Sequence, residues 1–306
     1  MVVGGDRVTL DNRVAIVTGA GGGLGREHAL LLARHGAKVV VNDLGTLVDG
    51  DGNDSTAAER VVADIEAAGG EAIADFNSVA TPEGGQSIVD ATLEAFGRVD
   101  IVVNNAGILR DKAFHNMIPE FLDPVLDVHL RGAFNVTRPA WAHFREQGHG
   151  RVINTSSAAG VLGNFGQANY GAAKAALVGL TNVLAIEGEK FNITANAIAP
   201  VARTRMTEDL LGKLASQVAP ELVSPLVVWL ASDECSDSGR VYTVGGGRVA
   251  RFFVAMSDGW TRADGELTVE DVRDHWAEIN DESRYSVPTS IADDFRALRN
   301  ALRGEL

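Results

Sequence analysis

The chain has one cysteine in 306 residues, Cys235, so no intrachain disulfide is available and a reducing, cytoplasmic setting is expected. Aromatic residues are sparse at 6%, and there are only eight prolines. Basic residues are outnumbered, 27 Lys and Arg against 41 Asp and Glu, for a net charge of −14. Such a surface repels nucleic acid and anionic membranes, so any anionic ligand must be held by local donors. No uncharged apolar run approaches the ~18 residues of a membrane span. The N-terminus lacks a basic stretch followed by an apolar one, so no signal peptide is expected. The seven histidines form neither HExxH nor another ligand spacing, so no metal site is expected; GxSxG is absent too.

Glycine is abundant, at 34 residues, and punctuates short β-branched runs. Strands are expected at 13–19, 38–43, 71–76, 99–105, 151–156, 193–199 and 241–246. Several are apolar on consecutive residues, as parallel strands buried on both faces are. Helical stretches alternate with them at 24–36, 55–70, 82–97, 118–147, 166–191 and 224–234, the last with Ser224 as N-cap before Pro225. The alternation implies an α/β fold: a doubly wound (Rossmann) seven-stranded parallel sheet with helices on both faces. Residues 1–248 would form this domain and 249–306 a C-terminal helical extension packed on the domain or on a partner subunit. In that extension 267–280, capped by Thr268, and 290–302 read as helices, with Val269, Val272 and Trp276 as packing positions. The Gly/Asp-rich segment 44–55 reads as a mobile loop.

The turn after the first strand, VTGAGGGLGREHA, carries Gly19, Gly22, Gly23, Leu24 and Gly25. Glycines there let the backbone turn sharply and approach a pyrophosphate held at the helix N-terminus. Asp43 ends the second strand at about the 20-residue spacing of a ribose-binding acid. Its charge would repel a 2′-phosphate, and residues 20–24 contain no Lys or Arg, so NAD is expected over NADP. Tyr170 and Lys174 share a helix face at i and i+4, where an ammonium would lower the phenol pKa from its usual ~10.

Together the glycine loop, NNAG at 104–107, Ser157, Tyr170 and Lys174 resemble the classical short-chain dehydrogenase/reductase family over about 12–248. VVVNDLG, NNAGILRD, HLRGAF, GNFGQANY, LAIEG and the tail LTVEDVRDHW further resemble the (3R)-hydroxyacyl-CoA dehydrogenase unit of type 2 multifunctional enzymes of β-oxidation. The resemblance implies that Tyr170 is the proton-transferring base, that Ser157 orients the substrate oxygen, and that Lys174 also binds the nicotinamide ribose. It implies cofactor contacts from Asn77 and Ser78, from Asn105, Ala106 and Gly107, and from Pro200 and Thr204. At 77 the family often has Asp, so Asn keeps the hydrogen bonding without the charge. His129 stands where many members have Asn; it is either a proton relay or a satisfied core residue. Arg203 and Arg205 either meet a substrate phosphate or face solvent. The substrate pocket would include Ile108, Leu109, Phe165, Met206, Leu210 and Leu211.

The implied reaction is NAD-dependent oxidation of a secondary alcohol, a (3R)-3-hydroxyacyl-CoA in fatty-acid or steroid side-chain degradation. The alternatives are a 17β-hydroxysteroid substrate, or a non-catalytic NAD-binding interaction subunit. A homodimer or homotetramer through the two long helices is expected from the same resemblance.

Overall fold

A computed structural model describes residues 7–50, 52, 56–203, 212–262 and 264–303. It divides into two compact units, Met1–Arg251 and Phe252–Leu306.

The first unit alternates strands and helices: β1 (Val14–Thr18), α1 (Gly23–Arg34), β2 (Lys38–Asn42), α2 (Thr56–Ala67), β3 (Ala72–Asp75), α3 (Pro82–Phe96) and β4 (Ile101–Asn104). After β4 come α4 (Pro119–Leu126), α5 (Gly132–Gln147), β5 (Gly150–Thr155), α6 (Ala158–Leu162), α7 (Ala168–Gly188), β6 (Ile193–Pro200), α8 (Ser224–Ala231), β7 (Arg240–Gly245) and β8 (Arg248–Phe252). Side chains along each inner strand alternate between two cores. Ala15, Val17, Val39, Val41, Ile101 and Val103 pack with Leu32, Val61, Ile65 and Leu230 on one face. Ile16, Val40 and Val102 pack with Ile88, Val136 and Phe144 on the other. Each such aliphatic side chain contributes ~1.5–3 kcal/mol by leaving water, which is why the strands read as unbroken apolar runs.

The sheet order is β3-β2-β1-β4-β5-β6-β7-β8. The seven strands β1–β7 pair in parallel. The expected seven-stranded sheet is thus corrected to eight. Gly246 and Gly247, at φ 56° and 78°, make a two-residue turn that returns the chain along β7 as the edge strand β8. Connections run in opposite directions from the centre, so the order reverses between β1 and β4. Ligands of such sheets bind at the carboxyl ends of the strands around this switch point.

Three local departures matter. The long 118–147 segment is interrupted by a π-helical turn at Asp127–Arg131. Ser224 does not cap α8: it lies inside the first turn, and its hydroxyl meets Nδ1 of buried His28 at 2.8 Å. The 44–50 stretch is tied down, with the Leu109 N–H donating to the Val48 carbonyl (2.8 Å) and Arg110 Nε to the Asp49 carbonyl (2.9 Å).

The second unit holds a two-stranded sheet, β9 (Met256–Ser257) with β10 (Tyr285–Ser286), and the helices α9 (Val269–Asp274), α10 (Trp276–Ile279) and α11 (Ile291–Arg303). Thr268 caps α9 as expected, in a reciprocal box with Asp271. The expected 267–280 helix is broken at His275, whose ring stacks on Trp260 at 3.8 Å. Val269 and Trp276 are exposed.

Candidate active site

A cleft of about 720 Å³ lies across the carboxyl ends of β1–β6. Gly19, Gly22, Gly23 and Leu24 line it, with Asp43, Asn77, Ser78, Asn105, Ala106, Gly107, Ser157, Tyr170, Lys174, Pro200 and His129. Gly25 lies just behind the lining. A Cβ on Gly25 would sit 2.2 Å from the Gly19 carbonyl oxygen, so the loop closes this tightly only with glycine there. Beside Gly22, by contrast, a Cβ would meet nothing within 4 Å, which leaves the helix N-terminus open to the cleft.

The turn after β4 is fastened to this loop. Asn105 Nδ2 donates to the carbonyls of Thr18 (2.9 Å) and Gly19 (3.0 Å), and Thr18 Oγ1 accepts from the backbone N–H of Asn105 and Ala106. Asp43 accepts from Gly21 N and Gly45 N, each at 2.7 Å, and so holds the entrance of the glycine loop. Arg26 is turned away onto Glu27 and Asp64. The open helix end, the glycine cradle and a carboxylate at the end of β2 fit a dinucleotide.

At the other end Tyr170 and Lys174 rise from the first turns of α7. Asn169, fully buried, fixes where that helix begins. Its Nδ2 donates to the carbonyls of Arg110 (2.9 Å) and Phe121 (2.7 Å), and its Oδ1 accepts from Tyr170 N (2.8 Å). Ser157 is the N-cap of α6, its Oγ accepting from Ala159 N at 3.1 Å. Its side chain lines the cleft together with that of Tyr170. Lys174 is buried, lies 5.5 Å from the Tyr170 ring centre, and donates to the Thr155 carbonyl at 2.6 Å. Gly160 makes room for it: a Cβ there would stand 2.6 Å from the Lys174 carbonyl carbon.

The electrostatics differ from the expectation that Lys174 lowers the Tyr170 pKa. Burial pushes the phenol up, the neighbouring Ser157 hydroxyl opposes this, and Asp111 adds to the rise. Lys174 itself is pushed down to about 7 by burial. A lysine stripped of water and partnered only by neutral groups holds its charge poorly, so it exerts less pull on its neighbour.

His129 sits on the π-helical turn, buried, edge-on to the Tyr170 ring with centroids 5.3 Å apart. Nε2 lies 2.9 Å from the Ile108 carbonyl and 3.1 Å from the Ile108 nitrogen, while Nδ1 is buried without a partner among the described residues. Burial, and then the Lys174 charge, hold its pKa well below the usual histidine value. Gly107 faces the ring so closely that a Cβ would come within 2.4 Å of Cε1.

Of the expected pocket residues, Ile108 and Leu109 line the cleft, joined by Leu162, but Phe165 is 91% exposed and outside it. Leu47 and Val48 of the loop expected to be mobile line it too. Thr204, Arg205, Met206, Leu210 and Leu211 lie outside the described residues; Arg203 is exposed. Three supporting residues were not anticipated: Asn169, Gly160 and Asp75. Among the described residues no group of His, Cys, Asp or Glu could hold a metal, and no helix is long and apolar enough to cross a membrane.

The short chain dehydrogenase family matches residues 13–214. A protein of Mycobacterium tuberculosis described as a short-chain type dehydrogenase/reductase is 54% identical over 89% of this chain and 95% of its own length. A hydroxyacyl-CoA dehydrogenase of the same organism is 40% identical over 90% of this chain and 92% of its own. Among solved structures, the full-length peroxisomal multifunctional enzyme type 2 of Drosophila melanogaster superposes with a TM-score of 0.82 at 38% identity, covering 97% of this chain and 50% of that one. A 7α-hydroxysteroid dehydrogenase complexed with NADH and 7-oxo glycochenodeoxycholic acid superposes at 0.69 and 29% identity, covering 78% of this chain and 95% of that one. With a glycine cradle and a Ser–Tyr–Lys cluster at opposite ends of one cleft, the chain belongs to the short-chain dehydrogenase family and is a nicotinamide-dependent oxidoreductase.

Proposed function

We propose that the protein oxidises the 3-hydroxyl of a (3R)-3-hydroxyacyl-CoA to a ketone, with NAD as the acceptor. The observation that carries this is Tyr170, flanked by Ser157 and Lys174 on the lining of a cleft whose other end fits a dinucleotide. The acyl-CoA class is supported by likeness to a hydroxyacyl-CoA dehydrogenase that spans nearly the same length.

Bound nicotinamide would supply the hydride acceptor. The remaining work falls to this chain. Ser157, its hydroxyl held by the α6 cap, orients the substrate oxygen. Tyr170 Oη takes the alcohol proton as the C–H bond breaks, and in the reverse direction returns it. Lys174 binds the ribose through Nζ. It regains charge as it gains hydrogen-bonding partners, and so favours the phenolate at Tyr170. Ile108, Leu109 and Leu162 hold the acyl chain and exclude water. Asp43 accepts from the adenosine ribose and disfavours a 2′-phosphate. The two long helices each expose apolar side chains, Phe134 on α5 and Val183 and Ile186 on α7, which suits a homodimer formed through them. The single, buried Cys235 fits a cytoplasmic location.

The test follows NADH formation from NAD with a (3R)-3-hydroxyacyl-CoA, its (3S) epimer and a 17β-hydroxysteroid, with Tyr170→Phe as control. Turnover on the (3R) thioester alone, lost in the control, is expected. Turnover on the steroid alone replaces the substrate and keeps the mechanism. NADH binding without any turnover favours a non-catalytic subunit.

A further inference from the structure

The buried acid beside the far end of the cleft has no part in the chemistry above. Asp75 ends β3 and is only 5% exposed. Its Oδ1 accepts from Asn42 Nδ2 (2.7 Å) and from the backbone N–H of Asn77 (3.0 Å); its Oδ2 accepts from Asn77 Nδ2 (2.8 Å). The Asn77 carbonyl is held as well, by Asn42 Nδ2 at 2.9 Å. Asp75 also joins the neighbouring strand end, its carbonyl accepting from Asp43 N at 3.0 Å.

This network decides which way round the Asn77 amide lies. A carboxylate has only acceptors. The amide must therefore turn its NH2 inward, towards Asp75, and its carbonyl oxygen outward. Asn77 lines the cleft beside Asp43 and Ser78, and its Oδ1 accepts no hydrogen bond among the described residues. An ordinary asparagine offers a ligand either a donor or an acceptor, whichever suits. This one is locked as an acceptor.

We propose that Asp75 is a positioning residue for base recognition: by locking Asn77 with its oxygen outward, it makes the site select an adenine, with its exocyclic amino donor, over a 6-oxo purine. The proposal rests on the dinucleotide reading above. If the ribose meets Asp43 at the end of β2, the base lies over the end of the next strand outward, β3, where Asn77 stands. An adenine then gives an N–H to Oδ1, while a hypoxanthine sets a carbonyl oxygen against it.

The test is a fluorescence titration of the full chain with two reduced dinucleotides, NADH and reduced nicotinamide hypoxanthine dinucleotide. The wild type is expected to prefer NADH by roughly tenfold, the scale of one hydrogen bond gained against one repulsive contact. In Asp75→Asn the new side chain keeps its oxygen towards the two donors Asn42 and Asn77 N. Its NH2 then faces Asn77, whose amide must turn and present NH2 to the cleft. The preference is expected to vanish or reverse, with melting temperature checked alongside. The exchange Asp75→Asn with Asn77→Asp restores the same bonds with the charge moved outward, and is expected to restore the preference for NADH. If Asp75→Asn does not fold, Asn77→Ala serves, with the ratio expected to fall towards one. A wild-type ratio retained in Asp75→Asn, or in Asn77→Ala, overturns the proposal, as does a wild type that binds both dinucleotides equally. A wild type that binds neither overturns the dinucleotide reading itself, and this proposal with it.

Discussion

Gly107 packs directly against the His129 ring, and this contact can be tested by adding one methyl group. Gly107 does not have a left-handed backbone, so alanine is accepted by the chain and only space is at issue. The added Cβ would stand 2.4 Å from Cε1, 3.1 Å from Nδ1 and 3.2 Å from Nε2 of His129. Ordinary carbon contacts are ~3.5–4.0 Å, so something must move by about 1 Å. The imidazole has little room, being buried, held at Nε2 by Ile108 and set against the Tyr170 ring. Overpacking of this kind costs ~1–3 kcal/mol, or about 2–4 °C of melting temperature for each kcal/mol. A 1 Å shift passed to Tyr170 would lower kcat about 100-fold. The assay is a double-mutant cycle, with Gly107→Ala, His129→Ala and both together followed by thermal melting and turnover. In the double variant the methyl fills space vacated by the ring, so an interaction of ~1–3 kcal/mol in favour of the pair is expected. Additive losses, or a Gly107→Ala protein with unchanged melting and turnover, would refute the steric argument.

Lys174 is expected to make stability rise with pH. Its folded pKa of about 7 lies below the ordinary 10.5, so between these values the unfolded chain carries the extra proton. Stability then climbs by up to ~1.4 kcal/mol per pH unit through that window. Lys174→Met should lack this increment in denaturant unfolding across pH 7–10; parallel curves for the two proteins would contradict it. Asn169→Ala removes the donor to the Arg110 and Phe121 carbonyls. It should cost ~1–3 kcal/mol in unfolding experiments and lower kcat by loosening Tyr170. Asp43→Ala should weaken NAD binding about 10–100-fold, the range for a charge-assisted hydrogen bond, and raise the share of activity with NADP. Unchanged cofactor preference in steady-state kinetics would count against Asp43 as the discriminating acid.

What the sequence discloses depends on whether a residue's surroundings are written in its neighbours. Parallel strands announce themselves because both faces are buried, and β1 and β4 need no more evidence than VAIVT and IVVN. The edge strand β8, RVARF, is largely solvated and carries two arginines without strict alternation, so it passes for tail; the Gly246–Gly247 pair before it is the readable signal of a hairpin. Composition misleads at 44–50, where Gly and Asp suggest mobility but Leu47 and Val48 line the cleft. Tyr170, Lys174 and Ser157 are legible because their chemistry is local and their spacing is that of one helix and the strand end before it. The residues that hold them are not. Asn169 reaches back to Arg110 and Phe121, Gly160 matters only because α6 crosses Lys174, and Gly107 only because a π-helical turn aims His129 at it. Asp75 is the sharpest case. Beside the acid at 43 it reads as one more strand-end carboxylate, yet its burial under Asn42 and Asn77 is what gives the Asn77 amide a direction. Spacing and family resemblance therefore pick out the candidate groups, while the residues that hold them in place become visible only when the chain ends of different strands are brought side by side.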